Sequence, residues 1–442
     1  MTAVNLKNSL LVALVATASS APGAHASDAR ARALGGSVIA NGKGAHGALA
    51  NPAALMHNHR DGHRFALSFG ANIEIRDDAG LIDIATDDAN DSLEGDIDDA
   101  VNDIDVSDLE CDPQTAEDET VCLSGLDALA SLSSRALGII DTIDNETIAA
   151  QGEAGLGMAF YDFRFPYALH LQTRATGRGK LRASESDRAY FENYQSTLDG
   201  GDLTFGEINR SAEFTINPND GSVDVLAPED VLTSAGDGGA LTRVTLAASV
   251  ATAVSVGTRA VDLGVTPKFS QLRAQGIDVS LRDEFDSDAD ALEDRFGDSE
   301  VSESSFTFDV GATMQLDEAP VRVAAVLRNV VPESIESDTG FEFKTTPQLI
   351  VGGVYQFSFG NVNADLAMNE ADVDSFPTQV FALGAEFHRG AFALRTGINH
   401  DMARDEARTG FSLGLGLGPV EIAARTSGIE HMQAGLQLAL SF

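Results

Sequence analysis

The end of the chain alternates without a break. Met432, Ala434, Leu436, Leu438, Leu440 and Phe442 fall on one face, and His431, Gln433, Gly435, Gln437, Ala439 and Ser441 on the other. A period of two is the mark of a β-strand with one face in an apolar medium. The same pattern opens the chain's main body: Phe65, Leu67, Phe69, Ala71, Ile73 and Ile75 alternate with Arg64, Ala66, Ser68, Gly70, Asn72 and Glu74. Between them lie strong runs at Phe306–Leu316, Leu349–Phe359, Phe381–Phe387 and Phe411–Leu417. Weaker ones lie near 154–165, 167–178, 241–256, 259–274, 320–330, 361–368, 390–398 and 419–426, which makes 14 strands in all.

The links between these strands carry the next constraint. Every even-numbered link is short, such as Asp317-Glu318-Ala319, the Gly360-Asn361 junction and His388-Arg389-Gly390, while the odd-numbered ones are longer and the first three very long. An even strand number with short turns at one end and long loops at the other is the plan of an outer-membrane barrel, with both termini on the periplasmic side. No apolar run beyond the N-terminus approaches the ~20 residues of a spanning helix. The sequence therefore predicts an all-β fold, a 14-stranded antiparallel transmembrane β-barrel over 63–442. Leu436, Leu438, Leu440 and Phe442 read as its barrel-assembly signal. With no Trp and 5 Tyr against 23 Phe, aromatic girdles must rest on phenylalanine.

Residues 1–26 read as a signal peptide: Lys7, an apolar core from Leu10 to Ala18, and the cleavage site Ala24-His25-Ala26. Export exposes Cys111 and Cys122 to an oxidising compartment, so a disulfide is favoured over a redox or metal site. The formal net charge of −39 argues against direct nucleic-acid binding. Much of that charge lies in 77–152, where 22 acidic residues face the single Arg135. Leu93, Ile97, Ala100, Val101 and Ile104, then Leu126, Leu129, Leu132, Ala136, Leu137, Ile140 and Ile143, recur at helical spacing. An acidic α-helical hairpin, inserted in the first external loop and pinned by the disulfide, is expected there. A β-hairpin is expected at Phe214–Ile216 and Val223–Val225, around the turn Asn217-Pro218-Asn219-Asp220-Gly221.

A barrel of about fourteen strands encloses more space than its wall side chains fill. The Gly- and Ala-rich segment 27–62 would serve as an N-terminal plug. Its residues Ala33-Leu34-Gly35-Gly36 and Asn51-Pro52-Ala53-Ala54-Leu55 resemble the hatch of the FadL-like outer-membrane transport superfamily. Within it, the chain more closely resembles the barrel-type conjugal transfer protein TraF family. Leu263-Gly264-Val265-Thr266-Pro267-Lys268, Arg328-Asn329-Val330-Val331-Pro332, Pro347-Gln348 and Leu383-Gly384-Ala385-Glu386 carry that likeness over roughly 30–442. A thioredoxin-like periplasmic protein also bears the name TraF, but this chain has no C-x-x-C. The resemblance implies a plug built on Gly35, Gly36, Asn51, Pro52 and Ala53. It also implies passage of small hydrophobic compounds, or service in conjugal plasmid transfer. Expected partners are outer-membrane lipid, the barrel-assembly machinery, a small hydrophobic ligand and conjugation-system components. A non-transporting component of conjugation, acting through its acidic external loops, is the alternative.

Other motifs weigh less. Gly36 to Lys43 lacks both the spacing and the Ser/Thr of a phosphate loop. His57, His59 and His63 could share a metal, but a polar periplasmic mouth beside Arg60 and Arg64 is the plainer reading. Asp286, Asp288 and Asp290 begin like a calcium loop, yet Ala291 and Gly297 stand where Gly and Glu are required. His170, His388, His400 and His431 fall in no catalytic motif. No catalytic residue, metal site or cofactor is assigned, and no enzymatic activity is expected.

Overall fold

The computed structural model describes residues 28–77, 147–198, 214–216, 223–225, 233–257, 259–280, 295–316, 319–403, 408–427 and 431–442, with Ser134, Leu137, Gly138 and Asp144. The expected signal peptide, Cys111, Cys122, the Asp286–Asp290 loop and nearly all of the acidic insertion lie outside these residues.

Fourteen strands close into one antiparallel barrel. They are β1 (Phe65–Asp77), β2 (Thr147–Phe160), β3 (Tyr167–Arg182), β6 (Ala235–Val256), β7 (Arg259–Ser280), β8 (Val301–Gln315), β9 (Val321–Arg328), β12 (Gln348–Phe357), β13 (Gly360–Ala367), β16 (Val380–Arg389), β17 (Phe392–Asp401), β18 (Arg408–Leu417), β19 (Val420–Thr426) and β20 (His431–Ser441). Three two-stranded hairpins occupy the links: β4 (Phe214–Ile216) with β5 (Val223–Val225), β10 (Glu333–Glu336) with β11 (Glu342–Thr345), and β14 (Ala371–Val373) with β15 (Phe376–Thr378). The first is the one its turn predicts; the other two have no counterpart in the sequence pattern. Each of the fourteen expected runs overlaps a barrel strand. The largest correction concerns β2, which starts at Thr147 and so shortens the first long link to 78–146.

Closure is made by β1 and β20, from Ala66 opposite Ser441 to Arg76 opposite His431. Beyond the ladder, the Phe442 carbonyl accepts the Arg64 and Phe65 N–H groups at 2.7 and 3.2 Å, and its own N–H donates to Phe65 O at 2.9 Å. Every barrel strand thus has two neighbours, and the wall has no free edge. The short links are as tight as the sequence implies. Gly257, Gly390 and Gly418 begin turns at φ near +60°, the left-handed region that a two-residue hairpin demands.

Burial is inverted relative to a soluble sandwich. Phe69, Leu246, Phe269, Phe306, Phe411, Leu413 and Leu436 are exposed on the outer wall, while Ser68, Asn72, Thr245, Ser270, Asp309, Glu386 and Gln437 are buried within. That is the pattern of a wall whose solvent is hydrocarbon. Rings cluster at the short-turn end: Phe65–Phe160 centroids are 5.2 Å apart, Phe160–Tyr167 4.9 Å and Phe357–Phe359 4.7 Å. Phenylalanine supplies the girdle here. With its ladder closed, an unboiled sample should run ahead of a boiled one on a denaturing gel. Identical migration would count against the barrel.

Candidate functional site: the N-terminal segment in the lumen

Residues 28–62 fold into α1 (Ala29–Ala33), α2 (Gly44–Ala50) and α3 (Ala54–Arg60). Asp28 caps α1, its Oδ1 accepting from Ala31 N at 3.2 Å. None of these helices is long enough to be stable alone in water; packing must hold them. Their partners lie on inward faces right around the barrel, a set of contacts that only a place inside the lumen allows.

Glu386 of β16 is the main anchor. Its carboxylate receives Arg30 Nε at 2.6 Å, Arg395 Nε at 2.9 Å and Lys43 Nζ at 3.0 Å, with Arg30 and Arg395 themselves buried. On the neighbouring strand, Asp365 Oδ2 of β13 accepts the backbone N–H groups of Val38 and Ile39 at 2.6 and 3.0 Å. On β20, Gln437 Oε1 accepts Ala29 N and its Nε2 donates to His46 Nδ1, both at 2.9 Å. Arg32 reaches Gln433 of the same strand, and Arg60 pairs with Asp262 of β7. Two wall arginines complete the ring: Arg322 donates to Ala40 O at 3.3 Å and Arg328 to Ala50 O at 3.0 Å.

The five singled-out residues sit in this seat, though they act differently. Gly35, at φ +69°, lies so close to the β17 backbone that a Cβ there would stand 2.8 Å from Ile398 O. Facing glycines make the room. A Cβ on Gly397 would come within 2.4 Å of Gly35 N, one on Gly384 within 2.6 Å of Leu34 O, and one on Gly414 within 2.3 Å of Ala33 Cβ. A second cradle, Gly264 and Gly311, receives Asn51, Pro52 and Ala53. Asn51 also ties the segment together, donating to Ile39 O at 3.0 Å and accepting Ala53 N at 3.0 Å. Gly36, at φ +102°, is needed for its backbone alone, since nothing lies within 4 Å of its Cβ position. Leu436, Leu438 and Phe442 face outward on the closing strand.

Beneath the polar anchors, Ala45, Ala48, Leu55 and Met56 pack with Ala66, Ala159, Tyr161, Ala168 and Ala251 at the short-turn end. Burial holds His46 neutral, its pKa lowered to about 4. His57 is lowered to about 3, by burial first and then by Arg322, Arg60, Lys43 and Arg30. His57, His59 and His63 do not converge: they meet Asp61, the Tyr161 carbonyl and the Tyr161 ring respectively.

The far end of the lumen is covered as well. The β10–β11 hairpin and its turn lay Ile335, Phe341 and Phe343 on Leu241, Leu272 and Ala274 of the inner wall. Asp374, between β14 and β15, receives Arg174 Nη1 at 3.0 Å and Arg243 Nη2 at 2.7 Å. The sequence signals the glycines and Asn51-Pro52. It holds no sign that Glu386, Asp365 and Gln437 are their partners, because that pairing exists only after closure.

Replacing Gly397 with Ala should unseat the segment, since overpacking against backbone costs ~1–3 kcal/mol. We expect the N-terminal segment to be cut by protease roughly tenfold faster. Gly353→Ala, whose Cβ would meet nothing nearer than Arg322 O at 3.5 Å, should be cut at the parent rate. Equal rates for both variants would remove the cradle argument.

The geometry defines a class: a closed 14-strand barrel with an apolar outer wall, and with its N-terminal segment seated in the lumen. A family model described as "F plasmid transfer operon, TraF, protein" matches residues 48–366, and the chain belongs to that family. No curated protein matches the sequence. Solved structures with similar chain traces include a deletion mutant of the monoaromatic hydrocarbon channel TodX (TM-score 0.48, 10% identity, 94% of this chain and 98% of that one). The Ralstonia pickettii toluene transporter TbuX gives a TM-score of 0.45 at 11% identity, over 94% and 97% of the two chains. The P. putida toluene transporter TodX gives 0.35 at 12% identity, over 94% and 98%.

Proposed function

We propose that the protein is an outer-membrane channel closed by its own N-terminal segment, exported by a cleaved signal peptide and passing small molecules when that plug is displaced. The observation that carries this reading is the ring of contacts between residues 28–62 and the inner wall, from Asp262 round to Gln437. A segment held by side chains and close backbone approach, with no covalent tie among the described residues, can leave without breaking the barrel ladder. The cargo class fits small hydrophobic compounds. At the long-link end, Ile335, Phe341 and Phe343 pack on Leu241 and Leu272, and parting these side chains would give such a compound an apolar site. Deleting 28–62 should convert a silent bilayer preparation into one with steady conductance. If the truncated protein stays silent while still heat-modifiable on a gel, the plug reading fails.

A second reading has its own support: membership in a family described by a plasmid transfer operon. In that case the acidic insertion would contact conjugation components. Removing 89–146, which stops short of β2, should then abolish mating while leaving permeability unchanged; normal mating would discard it.

A further inference from the structure

Three guanidinium groups meet in the lumen beside the plug with one carboxylate among them. Strand register fixes the place. Arg425 of β19 stands opposite Gln433 of β20, which stands opposite Glu74 of β1. All three project inward, since Ile422, Met432 and Ile73 point out. Arg76 lies two residues beyond Glu74 on the same face and donates from Nε to Glu74 Oε1 at 2.6 Å. Its orientation is held from the other side, where its Cζ lies 4.9 Å from the Phe376 ring centroid. Arg32 comes from the plug and donates to Gln433 Oε1.

Glu74 thus faces Arg76, Arg425 and Arg32 together. Other acids nearby are committed elsewhere. Glu153, near Arg32, is paired with Arg174. Asp401, near Arg425, accepts Gln379 N at 2.9 Å and Ala403 N at 3.2 Å. Arg425 itself feels these charges but makes no hydrogen bond or ion pair with any described residue. Like charges gathered in a narrow lumen repel, and a planar guanidinium fork is shaped for two oxygens of one oxyanion.

We propose that Arg32, Arg76 and Arg425 form a binding site for a small free oxyanion of the phosphate class. Arg425 supplies the open fork, Arg76 is pre-aimed by Glu74 and Phe376, and Arg32 links the occupant to the plug. The coupling to the plug rests on the channel reading above; the site itself does not. Because one cation belongs to the plug and two to the wall, an occupant stabilises the seated state by mass action.

The test is calorimetric titration of the full chain in detergent with sodium phosphate, against sodium chloride of equal ionic strength. The parent should bind phosphate saturably, and Arg425→Gln should weaken binding about tenfold or more, as expected for losing a charge-assisted contact. Arg425→Lys should fall between them, and Arg76→Gln serves if the first variant fails to fold. Heat-modifiable migration checks the fold of each. No saturable phosphate binding by the parent, or equal binding by a folded Arg425→Gln, would overturn the site. Phosphate should also slow protease cutting of the N-terminal segment in the parent and not in Arg425→Gln. If deleting 28–62 leaves conductance unchanged while Arg425-dependent binding persists, only the coupling falls. If deletion opens the pore and phosphate does not bind, only the site falls.

Discussion

Glu386→Ala should open the channel while leaving the barrel folded. The substitution strands Arg30 and Arg395, both buried against that carboxylate, and frees Lys43. Removing one member of a buried ion pair costs about 3–5 kcal/mol, because the remaining charge stays desolvated. Arg395 keeps Glu421, 2.8 Å from its Nη2; among the described residues Arg30 keeps its bond to Asn41 O at 2.8 Å and the unbonded charges of Asp28 and Glu421. The loss therefore falls on the plug side, and the easiest relief is for α1 to leave the wall. Conductance should rise towards that of the plug deletion, with the gel shift of the folded barrel retained. Glu386→Gln keeps the shape and loses the charge, so it should lie between. A Glu386→Ala protein as silent as the parent would show that the ion cluster does not hold the plug.

Acid should do the same to the unaltered protein. His46 is buried against Gln437 and near His170, and its seated pKa of about 4 lies below the 6.5 it regains in water. The released state thus binds the proton more tightly, and seating weakens as pH falls below 6.5. The contribution is fully present above that value and fully lost below about pH 4. Its size is roughly 3 kcal/mol, since each tenfold change in proton affinity is worth about 1.36 kcal/mol. His57, at about 3, adds to the trend, tempered by Asp61 Oδ2 at 3.3 Å from its Nε2. Opening should therefore begin below pH 6.5 and steepen towards pH 4, and His46→Gln should flatten the profile. Matching profiles in the two proteins would rule out His46 as the sensor.

The wall is legible because its two solvents differ. Phe69 and Leu438 must meet hydrocarbon while Ser68 and Gln437 meet the lumen, and that contrast writes a period of two into the sequence. Alternation fades where the inner face meets the plug instead of water. In β2, Ala149 and Ala159 are buried on the inner face, Ala159 in one cluster with Ala45 and Leu55, so the readable pattern begins near 154 although the strand begins at 147. Phe163 and Phe165 extend the apparent run on the other side, although they are exposed turn residues. The β10–β11 and β14–β15 hairpins leave no readable pattern, because strands of three or four residues carry too few positions for a period. The plug is visible as small residues without a stated partner. Its anchors at Glu386 and Asp365 lie more than 300 positions away in sequence, and no local spacing signals such a pairing.

The glycine seat also shapes what remains when the plug is gone. Gly384 stands opposite Gly397, and Gly414 lies on the next strand. Vacating them would uncover a strip of bare backbone on the inner wall, flanked by Arg395 and Glu386. A permeant sliding there would meet amide and carbonyl groups in place of side chains, on a smooth floor with few protrusions to catch it. The fit that lets the stopper sit close is thus also a polished groove once it has left.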